Sequence, residues 1–443
     1  MDTGKTIQLK RVFGYGWGTS FLIVNVIGTG IFVAPGGVLK YSCMNVGLSL
    51  CIWAVCALLT TMDALCSAEI GISFPCSGAH YYFLKRCFGS SVSFLSLWTT
   101  LFVAAGLAAS QALLLAEHTI QPFYPSCSAP QLPKQCLALA LLWLVGILNS
   151  RGVKEVTWLQ TAGTALKALI LGLISLSGLV LLLRGRKENV QRFQKAFDAE
   201  LPEASQFIQA VFQGLFAYSG AGCLTFIADA VAITWTNRVL PSLTWVVPFG
   251  ISASLFSNLL INIFQSSRVT YIAGQEGQLP LLFNTLNSHS SPLISVLLLV
   301  TMASIAVVST NLIDLINYLY FVVSIWSVLS MIGILKLRFQ EPNLPRPYKV
   351  KVSLPFPLVT MAISLCLVLV PLVTSPHMHY IYVCLFILSG LLFYVPFVYF
   401  KLKLVGFEKM TCYLQLLFNI CIPDVSDEQV SEAQTVSKKL AKF

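Results

Sequence analysis

Long apolar runs divide this chain into about eleven segments, separated by short polar or charged stretches. Most runs hold about 20 residues, which is enough for a helix to cross a hydrocarbon layer about 30 Å thick. The pattern predicts spanning helices over residues 13–40, 44–72, 80–117, 136–150, 155–184, 206–236, 241–272, 292–310, 312–336, 354–375 and 378–404. It therefore predicts an all-α polytopic membrane protein with an N-terminal segment, 1–12, and a tail, 405–443, in the cytosol.

The first apolar run is interrupted in its middle by Gly28, Thr29 and Gly30, and Pro35 follows within two turns. Each glycine inside a helix costs about 1 kcal/mol relative to alanine. Backbone groups left unpaired in hydrocarbon are tolerated only where they are buried in protein or line a wet cavity. The interruption therefore predicts a binding site at the middle of the membrane.

A second interruption, Ser219 to Gly222, lies in the sixth apolar run, directly after Phe216 and Tyr218. Two broken helices, one in each half of the chain, are typical of transporters with inverted repeats. N–H groups freed at such breaks suit a carboxylate, and freed carbonyl groups suit an ammonium group. A single glycine cluster would rather indicate close helix packing, but two clusters at matching positions favour a site for an amino acid.

The composition agrees with a membrane protein. Of the 443 residues, 56% are hydrophobic and 10% are charged, whereas about 25% of residues are charged in soluble domains. The net charge of +10 comes largely from lysines and arginines in short loops and in the tail, where such residues set membrane topology. We therefore expect membrane lipid around the chain and no nucleic acid as a partner. The first run is too long for a cleavable signal peptide, so we expect the N-terminus to be retained.

The loop charges conflict with a simple alternation of eleven spans. Positive residues favour the cytosolic side, and three of them place the N-terminus there: Lys5, Lys10 and Arg11. Counting from that end puts Arg268 and the basic segment 336–351 outside, against the same rule. Either the run 206–236 does not cross completely, or a spanning element is absent between Ala228 and Pro241.

Few ionisable residues lie deep within the apolar runs. Lys167 is near the middle of its run, where a charge costs at least about 2.5–3.5 kcal/mol, so it needs a buried partner and indicates a functional site. Glu69 is expected at the membrane boundary, whereas Asp63 is deeper and is either functional or simply paired. Phe216 and Tyr218 are candidates to close over a substrate, although packing is the commoner role of such residues.

The thirteen cysteines include no CxxC pair and no histidine at ligand spacing, so we expect no metal site and no cofactor. Cys127 lies in a proline-rich loop, with Cys136 nearby. If that loop is outside the cell, Cys127 can form a disulfide with Cys136 or with another chain. The sequence contains no N-x-S/T glycosylation site, which is compatible with a separate glycosylated partner.

The runs do not predict an enzyme. An embedded catalytic site would need paired carboxylates or a constellation containing histidine. The chain has five histidines, and most of them lie in loops or at the edges of the runs. A channel, or a membrane subunit that binds a partner without transporting, remains as an alternative to a transporter.

Five groups of short motifs occur in a fixed order along nearly the whole chain. They are GTGIFVAP at 28–35, AEIG at 68–71 with PCSG at 75–78, FAYSG at 216–220, SR at 267–268 with QEGQLP at 275–280, and RPYKV at 346–350. Together they resemble the light chains of heteromeric amino-acid transporters, solute carrier family 7, within the amino acid–polyamine–organocation superfamily. Within that family the chain is most similar to a light chain associated with aspartate, glutamate and cystine.

The resemblance implies a LeuT-like inverted-repeat fold. Its single transporter domain would occupy residues 13–404, with a first repeat at 13–184, a second at 206–336 and two last spans within 354–404. Substrate would lie between the first and sixth helices, with Phe216 as a gate over it and Lys167 in place of a cotransported sodium ion. The implied substrate-binding residues are Gly28, Thr29, Gly30, Ile31, Phe216, Ser219 and Gly220.

The implied activity is sodium-independent exchange of amino acids by alternating access, for acidic amino acids and cystine or, as an alternative, for neutral ones. Cys127 would form the disulfide to a single-span type II glycoprotein heavy chain of the rBAT kind. The implied location is the plasma membrane, on the apical side of epithelia. Both termini would be cytosolic.

The chain departs from the family pattern in its second half. Ala221 and Gly222 stand where many relatives carry Trp and Asn. Ala228 runs directly into Asp229, whereas the family has a cytosolic loop, a seventh helix of about 20 residues and an outer loop at this point. We therefore expect the seventh helix to be missing and transport by this chain to be impaired.

Overall fold

The computed structural model describes most of the apolar runs, but not the second glycine interruption and only Gly30 of the first. The described residues are 30–74, 79–124, 130–184, 196–198, 201–203, 246–309, 312–341, 355–374, 378–400 and 405–418, with a few residues in 206–218 and Ile420. Regular structure within them is helical. This confirms the all-α architecture predicted from the sequence.

The described residues contain twelve complete α-helices, which are numbered in chain order. They are α1 Gly30–Tyr41, α2 Val46–Ser73, α3 Ala79–Phe88, α4 Ser90–Ile120, α5 Gln131–Arg151, α6 Val153–Leu183, α7 Val246–Gln275, α8 Leu293–Ser309, α9 Leu312–Gln340, α10 Pro355–Thr374, α11 Met378–Phe393 and α12 Val405–Phe418. Short 3-10 turns occur at Gln121–Phe123 and Leu281–Phe283.

Five helical segments among the described residues are long and apolar enough to cross a membrane. They are Val46–Gly71, Ser90–Ile120, Gln131–Arg151, Val153–Leu183 and Phe321–Gln340, and shorter apolar segments occur at Leu293–Ser309, Pro355–Cys366 and Val383–Tyr399. The helices follow the predicted runs closely; α2, for example, matches the run 44–72. Its first turn is fixed by Asn45, whose side chain accepts a hydrogen bond from the Leu48 N–H at 2.9 Å, as an N-cap residue does.

One predicted span is two helices. The run 80–117 contains α3 and α4, which are separated at Gly89. Gly89 has a φ of +89°, a conformation that residues with a Cβ rarely adopt. The ten-residue α3 is too short to span a bilayer, so it connects α2 to α4.

The C-terminal end also differs in detail from the predicted pattern. The last apolar run ends in a π-helical turn, Tyr394–Tyr399, which contains Pro396 and therefore lacks one backbone donor. The expected tail begins with a further helix, α12. Near it, Ile420 is buried in a small apolar cluster with Leu282 and Ile294.

Helix α4 lies at the centre of the bundle and contacts α3, α5, α7, α8, α9 and α11. It is the most buried of the five long segments. Its middle is rich in small residues such as Ala105, Gly106, Ala108 and Ala109, most of them buried. Small residues let helix backbones approach closely inside a membrane. The main apolar core therefore forms around α4, with contributions from α5, α6, α7 and α8.

Candidate substrate and ion site

The expected substrate-binding residues lie mostly outside the described part of the chain. Gly28, Thr29, Phe216, Ser219 and Gly220 are not described, and neither is the expected disulfide residue, Cys127. Gly30 and Ile31 belong to α1. Their proposed roles stay predictions. Lys167 is described, and it lies where α6 meets α7.

Lys167 is completely enclosed in this wall. Its side chain is 1% exposed, and its Nζ donates a hydrogen bond to the Oδ1 of Asn258 on α7 at 2.8 Å. A hydrogen bond from a charged donor is stronger than one between neutral groups. The need for a buried partner, which the sequence indicates, is therefore met by the neighbouring helix.

Glycines bring α6 and α7 together on either side of Lys167. A Cβ added to Gly163 of α6 would overlap the Ser257 hydroxyl of α7, and one added to Gly250 of α7 would overlap the Ile170 side chain of α6. The two helices can approach this closely only because these positions lack side chains. We call this contact, from Gln160 to Ile170 on α6 and from Gly250 to Asn258 on α7, the α6–α7 seam.

Several buried polar atoms in the α6–α7 seam have no hydrogen-bond partner. Gln160 is fully buried, and neither its Oε1 nor its Nε2 has a hydrogen-bond partner in the structure; the same is true of the Ser254 hydroxyl and the Asn258 Nδ2. Buried polar groups normally find partners, including ordered water. The seam therefore provides hydrogen-bonding groups beside the Lys167 ammonium for water or for a ligand group.

Sequence reasoning missed the α7 side of this site. Ser254 and Asn258 are four residues apart, which places them on one face of a helix. Their polarity within the apolar run 241–272 is a signal that could have singled them out. Only the packing of α6 against α7 shows that this face meets Lys167.

Tyr218 is the described residue nearest in sequence to the second glycine interruption. Its ring packs edge to face against Trp53 of α2, with ring centroids 5.7 Å apart. It joins an apolar cluster that includes Val38, Ile52 and Cys56. This is the packing role that the sequence also allowed for an aromatic residue at this position.

The two carboxylates of α2 have different surroundings. Glu69 forms an ion pair with Arg338 of α9, with a second contact of 3.2 Å from the Arg338 Nε. Nearby, Arg86 of α3 pairs with Glu341 at 2.6 Å. These two ion pairs link α9 and the residue that follows it to α2 and α3. Asp63 forms no hydrogen bond or ion pair among the described residues.

The described residues contain no group of three or more His, Cys, Asp or Glu side chains that could hold a metal ion. What the seam offers is a fixed ammonium and neutral hydrogen-bonding groups. Such groups can orient a polar solute or keep a helix contact in one geometry, but they include no nucleophile paired with a base.

The chain matches a known family of membrane proteins in two consecutive pieces. The sequence model described as amino acid permease matches residues 16–232 and 231–399. The two matched pieces meet within a few residues of the Ala228–Asp229 junction. The match as a whole covers most of the chain and includes every helix from α1 to α11.

Three relatives illustrate the range of similarity. Solute carrier family 7 member 13 of Mus musculus is 64% identical over 476 positions, covering 98% of this chain and 99% of the relative. The Homo sapiens protein of that name is 62% identical over 472 positions, covering 97% and 100%. The b(0,+)-type amino acid transporter 1 of Homo sapiens is 31% identical over 472 positions, covering 96% of each.

The mouse alignment has 476 positions, whereas this chain has 443 residues. More than thirty residues of that relative therefore have no counterpart here. Otherwise the similarity extends over nearly the full length of both proteins. On this similarity, the chain belongs to solute carrier family 7, within the amino acid permease family of membrane transporters.

Proposed function

We propose that the chain is built as a sodium-independent amino-acid exchanger that works by alternating access. The buried Lys167 side chain carries this proposal, because it places a basic nitrogen within the helix bundle, where Asn258 holds it at 2.8 Å. A transporter with such a basic group does not need a sodium ion at that position. The reaction is movement of an intact solute, with no covalent step and no cofactor.

The proposed substrate is an amino acid with a free carboxylate and ammonium group. Glycine interruptions at Gly28–Gly30 and at Ser219–Gly222 would provide freed backbone N–H and carbonyl groups for these two charges. Ile31 and Phe216 would complete the site, with Phe216 as the gate. Acidic amino acids and cystine are the preferred candidates by resemblance, and neutral amino acids are the alternative.

A second candidate function is favoured by the alignments. The mouse relative has more than thirty residues without a counterpart here, and the permease match divides at residues 231–232. Both features support the proposal that a helix and its loops are missing after Ala228. Without that helix the second repeat would lack a neighbour for its broken helix. The chain would then act only as a transport-impaired membrane subunit that binds a partner.

Exchange in reconstituted vesicles tests the two candidates together. The chain is compared with a restored version, in which the extra residues of the mouse relative are inserted between Ala228 and Asp229. Uptake of labelled glutamate, cystine and leucine is measured without sodium, with and without unlabelled amino acid inside. We expect exchange by the restored chain and little or none by the present one.

The outcomes separate the alternatives. Exchange by the present chain at the level of the restored one would contradict impairment. If the restored chain is folded but passes no amino acid under any condition, the exchanger proposal fails. Uptake that needs no internal amino acid and carries net current would indicate a channel.

Lys167→Met in the restored chain should abolish exchange.

The proposed partner is a single-span type II glycoprotein heavy chain, linked through Cys127 at the plasma membrane. Co-expression with an rBAT-like heavy chain and a non-reducing gel would test it. We expect a disulfide-linked heterodimer that disappears in Cys127→Ser. Cys136→Ser is the matched control, since Cys136 is an exposed cysteine close by in the sequence. Loss of the heterodimer in the control alone would assign the link to Cys136 instead.

A further inference from the structure

A cavity of about 340 Å³ lies between α2, α3, α4 and α9. Its wall is mostly apolar, and hydroxyl groups from side chains such as Ser67, Ser96 and Thr100 add polar points to it. The described residues that line it include none of those proposed to bind substrate, and Lys167 is not among them. Its volume falls in the range of about 300–1,000 Å³ that is usual for small-molecule sites.

Asp63 is the acidic residue of this cavity. It lies ten residues before the end of α2 at Ser73, or about 15 Å along the helix at a rise of 1.5 Å per residue. Its carboxylate makes no hydrogen bond or ion pair among the described residues. An ionisable group in a spanning helix is unfavourable without a partner and by default indicates a functional site.

Two further polar groups face this region from α3 and α9. The buried indole N–H of Trp326 has no hydrogen-bond partner in the structure. His80 Nε2 lies 2.9 Å from the Ser330 hydroxyl, which already donates to the Trp326 carbonyl at 2.8 Å. Since a hydroxyl has one proton to donate, His80 must donate its Nε2–H to Ser330. The imidazole is therefore held by α9.

The charge of the lining is unbalanced. Asp63 in its ionised form is a negative charge in this lining, His80 is the other titratable side chain among the described lining residues, and that lining contains no lysine or arginine. A cation of matching size would restore the balance. A bare metal ion is too small, because it needs oxygen ligands in direct contact, whereas this cavity is large enough for an organic molecule.

We propose that this cavity binds a small organic ammonium ion. The Asp63 carboxylate accepts hydrogen bonds from the ammonium group, and the Trp326 ring system lies in the wall as an aromatic neighbour for the cation. Val103 and Met331, which also line the cavity, contact the apolar part of the ligand. This inference does not rest on the proposed exchange function.

Two sources could supply this chemistry: a free primary amine and the ethanolamine headgroup of a phospholipid. The depth of Asp63 favours the free amine, since lipid headgroups lie outside the hydrocarbon region. Both sources present the same primary ammonium group to Asp63. They can be distinguished by changing the lipid around the protein.

Equilibrium binding of radiolabelled n-butylammonium to the purified full chain tests the proposal. The chain is held at pH 7.5 in nanodiscs of phosphatidylcholine, a lipid without a primary amine. We expect saturable binding that weakens at least about tenfold in Asp63→Asn, because a hydrogen bond to a charged group is lost. Trp326→Phe, which replaces the indole with a ring that attracts cations less strongly, should cause a smaller loss. Glu117→Gln is the matched control, since its carboxylate pairs with Lys134 away from the cavity.

A second measurement uses the unaltered chain, so that misfolding of a variant cannot obscure the result. Neutral n-butanol should compete poorly with n-butylammonium. Competition at equal concentration, or absence of saturable n-butylammonium binding, would overturn the proposal, as would unchanged binding by folded Asp63→Asn. Weaker n-butylammonium binding in nanodiscs with phosphatidylethanolamine would support the site and identify the lipid headgroup as a competitor. Unchanged binding would support a free amine.

Discussion

Lys167 and Asp63 are both ionisable residues deep in long apolar helices, yet their surroundings are opposite. Lys167 lies in the α6–α7 seam, where glycines bring two helices together and Asn258 accepts its hydrogen bond. Asp63 lines a cavity of about 340 Å³ and has no hydrogen bond or ion pair among the described residues.

The difference teaches how to separate two uses of a buried charge. A buried charge that is paired with another group of the protein fixes the geometry of the helices that carry them. Removing the partner leaves the charge buried and unpaired, which destabilises the folded state. A charge that faces a cavity is available to something from outside, and the folded state depends less on it. We therefore expect the α6–α7 seam to exclude water and to tolerate few substitutions, and the cavity to admit water and small solutes.

The largest effect is expected from placing a bulky side chain in the α6–α7 seam. In Gly163→Leu, the new side chain would overlap Ser257, and the backbones of α6 and α7 would have to move apart. Overpacking of this kind costs about 3 kcal/mol or more, so we expect little folded protein by size-exclusion chromatography in detergent. Gly172→Leu is the control on the same helix, because a Cβ there meets no atom within 4 Å. Equal yields of the two variants would contradict close packing in the seam.

A large difference is also expected in access to a water-soluble thiol reagent. Ser67→Cys faces the cavity, whereas Ser254→Cys lies in the seam at a residue with no exposed surface. A cationic methanethiosulfonate should modify the first in folded protein and the second only after unfolding, because modification requires access to the thiolate. Peptide mass spectrometry identifies which cysteine is modified, and so distinguishes the introduced cysteines from the native ones. Protection of both sites would show that the cavity is closed to water.

The sequence predicts much of the fold and less of either site. Apolar runs locate helices such as α2 and α6 within a few residues, because spanning length is set by the bilayer. The division between α3 and α4 depends on the conformation of Gly89, which a hydropathy pattern does not contain. The pattern also places Lys167 and Asp63 deep in the bundle.

The pattern does not say which of these charges is paired. Asn258 is about ninety positions after Lys167 in the sequence, and Trp326 is more than two hundred and fifty after Asp63. Such contacts depend on how helices pack, and polarity within one apolar run does not show which helix it will face. The glycine interruptions are the sequence signal for the substrate site. Their residues lie largely outside the described chain, so this prediction still rests on the sequence.

A moderate effect is expected from breaking the Lys167 hydrogen bond. Asn258→Leu should lower the free energy of unfolding by about 1.5–3 kcal/mol, because a buried charged donor loses an acceptor. In a Lys167→Met background the same change should cost at least about 1 kcal/mol less, as expected for residues in direct contact. Thermal unfolding of the two single variants and the double variant in nanodiscs measures this coupling. Additive losses would show that the contact does not stabilise the seam.

The smallest effect on stability is expected at Asp63. Asp63→Asn removes a charge from a spanning helix and breaks no hydrogen bond among the described residues, so the free energy of unfolding should stay within about 1 kcal/mol or rise. Glu69→Gln is the comparison on the same helix; it breaks the ion pair with Arg338 and should destabilise the protein measurably. Both are measured by thermal unfolding in phosphatidylcholine nanodiscs without added amine. If Asp63→Asn lost as much stability as Glu69→Gln, Asp63 would have to be paired within the protein, and the contrast between seam and cavity would not hold.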